Sequence, residues 1–137
     1  MTHGYPADLD TVIKNHGHLC IGSAIGYRVA KYALRLVDKG PGLIVFTGSE
    51  GCPVHAIEIL TGCSRESGTI RITNENGWCF YDQSAEEGFR FTLKENLSRH
   101  NPGDREKFIN ILLSLDDNEI FNVAPFDFPT DPSGGAK

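Results

Sequence analysis

The residues most able to do chemistry crowd into the first half of the chain. His16-Gly17-His18-Leu19-Cys20 places three metal-ligating or nucleophilic side chains within five residues. Imidazole nitrogen and thiolate are the usual ligands of zinc and other late transition metals. The cluster immediately precedes a helical pattern. A helix start favours a thiolate over a thiol, because its N–H groups and dipole stabilise negative charge. A second cluster, Glu50-Gly51-Cys52-Pro53-Val54-His55, has the same character. Cys52 and His55 lie one helical turn apart and share a face. Glu50 can serve as ligand or general base. The plain alternatives are that the histidines cap the helix, that Cys20 is small core packing and that Glu50 is a solvated loop charge.

Two further cysteines are separated from these by geometry. A continuous helix over 53–61 puts Cys52 and Cys63 on the order of 15 Å apart at about 1.5 Å rise per residue. Thiolates on one zinc lie only about 4 Å apart, given Zn–S bonds of roughly 2.3 Å. Cys63 is therefore a second-tier ligand, needing a helix break or a second copy of the chain to rejoin the others. Cys79, between Trp78 and Phe80, reads as core packing.

The elements that must hold these residues follow from pattern. A short helix follows Pro6, with Leu9, Val12 and Ile13 inward. A long helix runs from near Cys20 to about Val37, with Ile25, Val29, Ala33 and Leu36 at helical spacing. Its Gly22, Gly26, Ala30 and Ala33 form a small-residue stripe. That stripe suits close packing on the domain's own sheet or a helix pair across a homodimer. Leu43 to Phe46 is a buried strand, and Pro53 opens a third helix that Gly62 stops. Helix, strand and helix alternate in direction, so both helices start at one end and Cys52 and His55 fall near the first cluster. Thr69–Thr73 and Trp78–Tyr81, joined by Asn74-Glu75-Asn76-Gly77, read as a hairpin. Gly88–Lys94 alternates as a half-buried strand. Asp104 caps a last helix with Phe108, Ile111, Leu112 and Leu115 on one stripe. Asp116-Asp117-Asn118-Glu119 lacks the spacing of a calcium loop and reads as a solvated turn.

Helices first and antiparallel strands after predict an α+β fold: a mainly antiparallel sheet of about four or five strands with helices on one face. The chain has 137 residues, enough for one domain. We expect that domain over 1–124 and an extended or disordered tail over 125–137. Thirteen basic against eighteen acidic residues give a net charge of −5, which argues against a general nucleic-acid binder. No apolar run approaches the roughly 20 residues of a membrane span, and Met1–Asp10 lacks signal-peptide character. The expected compartment is the cytoplasm, where cysteines and histidines point to thiols and metal before disulfides.

The combination of motifs resembles a known family. His16-Gly17-His18-Leu19-Cys20-x-Gly22, Gly26-Tyr27-Arg28, Glu50-x-Cys52-x-x-x-Ala56-Ile57 and Thr61-Gly62-Cys63 look like the FmdE family of formylmethanofuran dehydrogenase components. The resemblance covers roughly residues 9–94. It implies an α+β core that tends to dimerise, with a cleft lined by the His-x-His-x-Cys motif. Many members add a C-terminal zinc finger; with no cysteine after Cys79, this chain is expected to be a core-only member. It departs from the family pattern at Ile21, usually Pro, at His55, usually Asp, and at Glu66-Ser67-Gly68, where a Gly-Lys-Gly run is usual. His55 makes the pocket softer and less negative.

The leading expectation is a transition-metal-binding accessory protein, homodimeric, partnered by a molybdenum or tungsten enzyme. It would hold zinc, or nickel or iron, through some of His16, His18, Cys20, Cys52 and His55. One rival is an enzyme acting on a small substrate, by a metal-bound water with Glu50 or a histidine as base, or by a Cys20 thiolate activated by His18. Another is a purely structural component of such an enzyme complex.

Overall fold

The computed structural model describes residues 7–17, 20–37, 40, 42–48, 51–73, 76–98 and 105–127. Helices α1 (Ala7–His16) and α2 (Ile21–Ala33) come first. Strand β1 (Leu43–Thr47), helix α3 (Cys52–Thr61) and strands β2 (Ile70–Ile72), β3 (Trp78–Asp82) and β4 (Glu87–Leu93) follow. The short helix α4 (Glu95–Ser98), α5 (Arg105–Ser114), the single turn α6 (Asp117–Ile120) and β5 (Phe121–Pro125) complete the described part. The fold is α+β. Its five-stranded sheet has the order β2-β1-β3-β4-β5.

The sheet is mixed rather than purely antiparallel, because β1 and β2 pair parallel, Val45 opposite Ile70. This corrects the expected hairpin between 69–73 and 78–81. β1, α3 and β2 form a crossover unit, in which a strand returning from a helix lies parallel beside the first. That fills one edge of β1, so β3 must take the other, Val45 opposite Phe80. The true hairpin is β3–β4, Phe80 opposite Phe89. Its turn holds Asp82, whose carboxylate accepts from the Ser84 N–H at 2.9 Å, and Glu86 at φ 53. An Asx-type contact does here what a glycine pair does in the commoner two-residue turns. Gly77 has φ 81, and a Cβ there would collide with the Phe91 carbonyl. Its role is close strand approach at the entry to β3.

Strand alternation sorts the apolar side chains to two faces. Leu43, Val45, Ile70, Trp78, Phe80, Phe91 and Phe121 join the helical residues Leu9, Val12, Val29, Ile57 and Leu112 in the main core. The helices thus cover one face. On the other face Ile44, Phe46, Cys79 and Phe126 make a smaller cluster. Phe126 stacks obliquely on Phe46, ring centroids 5.5 Å apart, just beyond the end of β5. Residues 128–137, most of the expected tail, lie outside the described residues, as do Asn101, Pro102, Gly103 and Asp104.

The acidic stretch is a single helical turn whose Asp116, Asn118 and Glu119 are exposed, as expected, but whose Asp117 is not left to solvent. Asp116 and Glu119 make a capping box at the start of α6. The Asp117 carboxylate is only 10% exposed and is gripped by Arg28 at 3.0 Å and by Arg35. Arg28 also donates to the carbonyls of Leu112 and Leu115, both at 2.6 Å, satisfying the end of α5. One α2 side chain therefore ties the C-terminal helices to the first half of the molecule.

Candidate metal and thiol site

The alternation of helix, strand and helix brings the starts of α2 and α3 together. Cys20 is the N-cap of α2, with extended backbone at φ −120 and ψ 172. Cys52 is the first residue of α3, with Pro53 in the first turn. Close approach needs the small stripe of α2. A Cβ on Gly22 would sit 2.8 Å from the Cβ of Cys52, and one on Gly26 2.6 Å from the Cα of Pro53. Here the stripe serves α3 of the same chain.

The two cysteines are in contact. The Cys52 thiol donates a hydrogen bond to the sulfur of Cys20. Ser23 completes the Cys20 setting: its N–H lies 3.4 Å from the sulfur, and its hydroxyl accepts the Cys20 N–H at 2.9 Å. That hydroxyl also lies 3.0 Å from the Cys20 carbonyl and 3.4 Å from the sulfur. This is a capping box built on a thiol in place of the usual hydroxyl or carboxylate. Burial disfavours a Cys20 thiolate, but donors from Ser23, Cys52 and the Gly22 backbone outweigh it and hold the thiol below its ordinary value. The hydrogen bond to Cys20 pushes the Cys52 thiol up, with burial adding to it. Cys20 is 7% exposed, while Cys52 is half-buried.

Ser23 is the residue that sequence reasoning missed. Its signal was a hydroxyl three positions after a residue capable of N-capping. His55 is exposed on α3, one turn beyond Cys52. His16 closes α1, but its side chain lies outside the described residues, as do His18 and Glu50. Cys63 is buried in the main core, its sulfur 3.5 Å from the carbonyl of Leu43 at the far end of β1. Cys79 is fully buried in the cluster on the opposite face. Among the described residues, no three His, Cys, Asp or Glu side chains converge to hold an ion. Two adjacent sulfurs at paired helix starts nevertheless suit a soft, thiolate-seeking cation.

Fold and site define an α+β domain in which two closely packed helices present paired cysteines at their N-termini. The family model described as "FmdE, Molybdenum formylmethanofuran dehydrogenase operon" matches residues 15–122, well over half of the chain. The chain belongs to the FmdE family. Among solved structures it is similar to a tungsten formylmethanofuran dehydrogenase FmdE-like protein from Syntrophus aciditrophicus. That match has a TM-score of 0.64 and 17% identity, and covers 88% of this chain and 71% of that one. At this identity the likeness shows the fold. No curated protein sequence matches. Among the described residues, no helix is long and apolar enough to cross a membrane.

Proposed function

We propose that this FmdE-family chain is a transition-metal-binding accessory protein, with Cys20 and Cys52 as its two thiolate ligands. The contact between these sulfurs carries the reading. It joins residues 32 positions apart at the starts of two helices. His16 and His18 adjoin Cys20 in the chain and are the candidates for the remaining positions, with His55 next in line. Mixed sulfur and imidazole ligation favours zinc, and admits nickel or iron. When bound, the ion would bridge the starts of α2 and α3 and fix their spacing. The family's description by a molybdenum dehydrogenase operon supports an accessory role beside a molybdenum or tungsten enzyme. Homodimerisation and a cytoplasmic location complete the proposal. Elemental analysis of untagged protein tests the metal reading. Wild type is expected to carry near-stoichiometric metal, and Cys20→Ser and Cys52→Ser to lose most of it. Stoichiometric metal retained by both variants would overturn the assigned ligands.

A further inference from the structure

We infer that Cys20 and Cys52 are also a redox-modification site, closed to an intramolecular disulfide by small-molecule disulfides. The inference rests on the same pair of cysteines as the metal reading, although not on the metal. Three features of the geometry support it. The two sulfurs interact at the α2–α3 crossing, where a Cβ on Gly22, two residues after Cys20, would lie 2.8 Å from the Cys52 Cβ. The backbones at this crossing are held together by Gly22 and Gly26, which leave no room for a side chain between α2 and α3. The two cysteines also differ in access: Cys52 is half-buried, whereas Cys20 is buried.

That difference sets an order of events. The Cys52 sulfur attacks one sulfur of the external disulfide. The external S–S bond breaks, and one thiol departs with the proton lost by Cys52. Cys20 then attacks the Cys52 sulfur of the mixed disulfide, and a second thiol departs with the Cys20 proton. The two cysteines lose two electrons and two protons, and one external disulfide becomes two thiols. Cys52 adjoins Cys20, so the mixed disulfide is short-lived. Cys63 and Cys79 cannot compete, since one is buried at the far end of β1 and the other on the opposite face of the sheet.

The test incubates metal-free, reduced wild-type protein with oxidised glutathione. Thiols are then counted after denaturation and disulfides mapped by mass spectrometry. The expected result is a fall from four thiols to two, a mass loss of two hydrogens and a cross-link joining the Cys20 and Cys52 peptides. Cys20→Ser is expected to stop at a stable glutathione adduct on Cys52. Four thiols remaining in the wild type, or a lasting adduct on it, would overturn the inference. Zinc binding is measured in parallel on reduced protein. A disulfide without zinc binding removes the zinc assignment and leaves this inference standing, and zinc binding without a disulfide overturns this inference and leaves the metal reading standing.

Discussion

Gly26 of α2 lies directly against the backbone of Pro53 at the start of α3: a Cβ on Gly26 would fall 2.6 Å from the Pro53 Cα and 2.9 Å from its carbonyl carbon. Such distances are closer than real Cβ contacts tolerate, and the obstacle is main chain, which cannot rotate aside. The Cys20–Cys52 contact depends on this crossing, because both cysteines sit at the helix starts that it clamps.

Gly26→Ala should therefore destabilise the protein by about 1–3 kcal/mol from overpacking. It should do so although alanine favours an isolated helix by roughly 1 kcal/mol over glycine. Gly22→Ala should cost less, since its nearest obstacles are side-chain atoms, the Cys52 Cβ at 2.8 Å and the Pro53 Cδ at 3.1 Å. Urea denaturation of both variants checks the ranking. A Gly26→Ala midpoint at or above wild type would show that the helices do not cross this closely.

The buried cysteines give a second prediction. Cys63→Ala and Cys79→Ala should leave bound metal unchanged while lowering stability by about 1 kcal/mol each, the ordinary cost of a small core truncation. Metal loss in Cys63→Ala, measured by elemental analysis, would mean that a second copy of the chain returns Cys63 to the site. In that case the loss should track dimer dissociation in sedimentation.

The parts of this fold written in local pattern were legible. Regular apolar spacing marked β1 and the body of α2, although α2 stops at Ala33 rather than near Val37 and leaves Leu36 exposed. Gly62 marked the end of α3, where it caps the helix by donating to the Glu58 carbonyl. The convergence of the two helix starts followed from direction alone. Strand pairing was not legible, because the hairpin signal at 74–77 competes with a crossover whose parallel partner is far away in the chain. β5 escaped because, as an edge strand, it buries only Phe121, and alternation has nothing to register. The buried role of Asp117 was hidden for a related reason: its partners, Arg28 and Arg35, lie more than eighty residues earlier.

Stability should fall at both extremes of pH through one cluster joining α1 to α2. Asp8 accepts from Tyr27 at 2.9 Å and from Lys31 at 2.7 Å. Burial opposes ionisation of Asp8, but hydrogen bonds from Lys31 and Tyr27 and the Lys31 charge outweigh it and hold the carboxyl below its ordinary value. Burial, reinforced by Asp8, pushes the Tyr27 phenol from 10.0 up to about 12. A depressed carboxyl adds stability above its unfolded value that is lost as pH falls through the lower folded one. A raised phenol adds stability below about 10 that is lost as pH rises through about 12. Denaturation midpoints across pH check both limbs. Tyr27→Phe should flatten the alkaline limb, and Asp8→Asn should flatten the acid limb and weaken the alkaline one. An unchanged alkaline limb in Tyr27→Phe would place that titration elsewhere.

Arg28 offers the sharpest test of how the C-terminal helices are held. Its guanidinium is 13% exposed and serves the Leu112 carbonyl, the Leu115 carbonyl and Asp117 together. Arg28→Ala strands two carbonyls at the end of α5 and removes one of the two cations on a buried carboxylate. Leaving buried acceptors unpaired is what makes such truncations costly, and the expected loss is roughly 2–3 kcal/mol. Arg35 remains on Asp117, which keeps the cost below that of a fully orphaned charge. Arg28→Lys should recover only a minor part, because one ammonium cannot span the fork that reaches three acceptors. The readout is the urea midpoint at unchanged slope, so that the difference reports stability rather than a change in compactness. A lysine variant as stable as wild type would mean that charge alone, and not the fork, joins α2 to the end of α5.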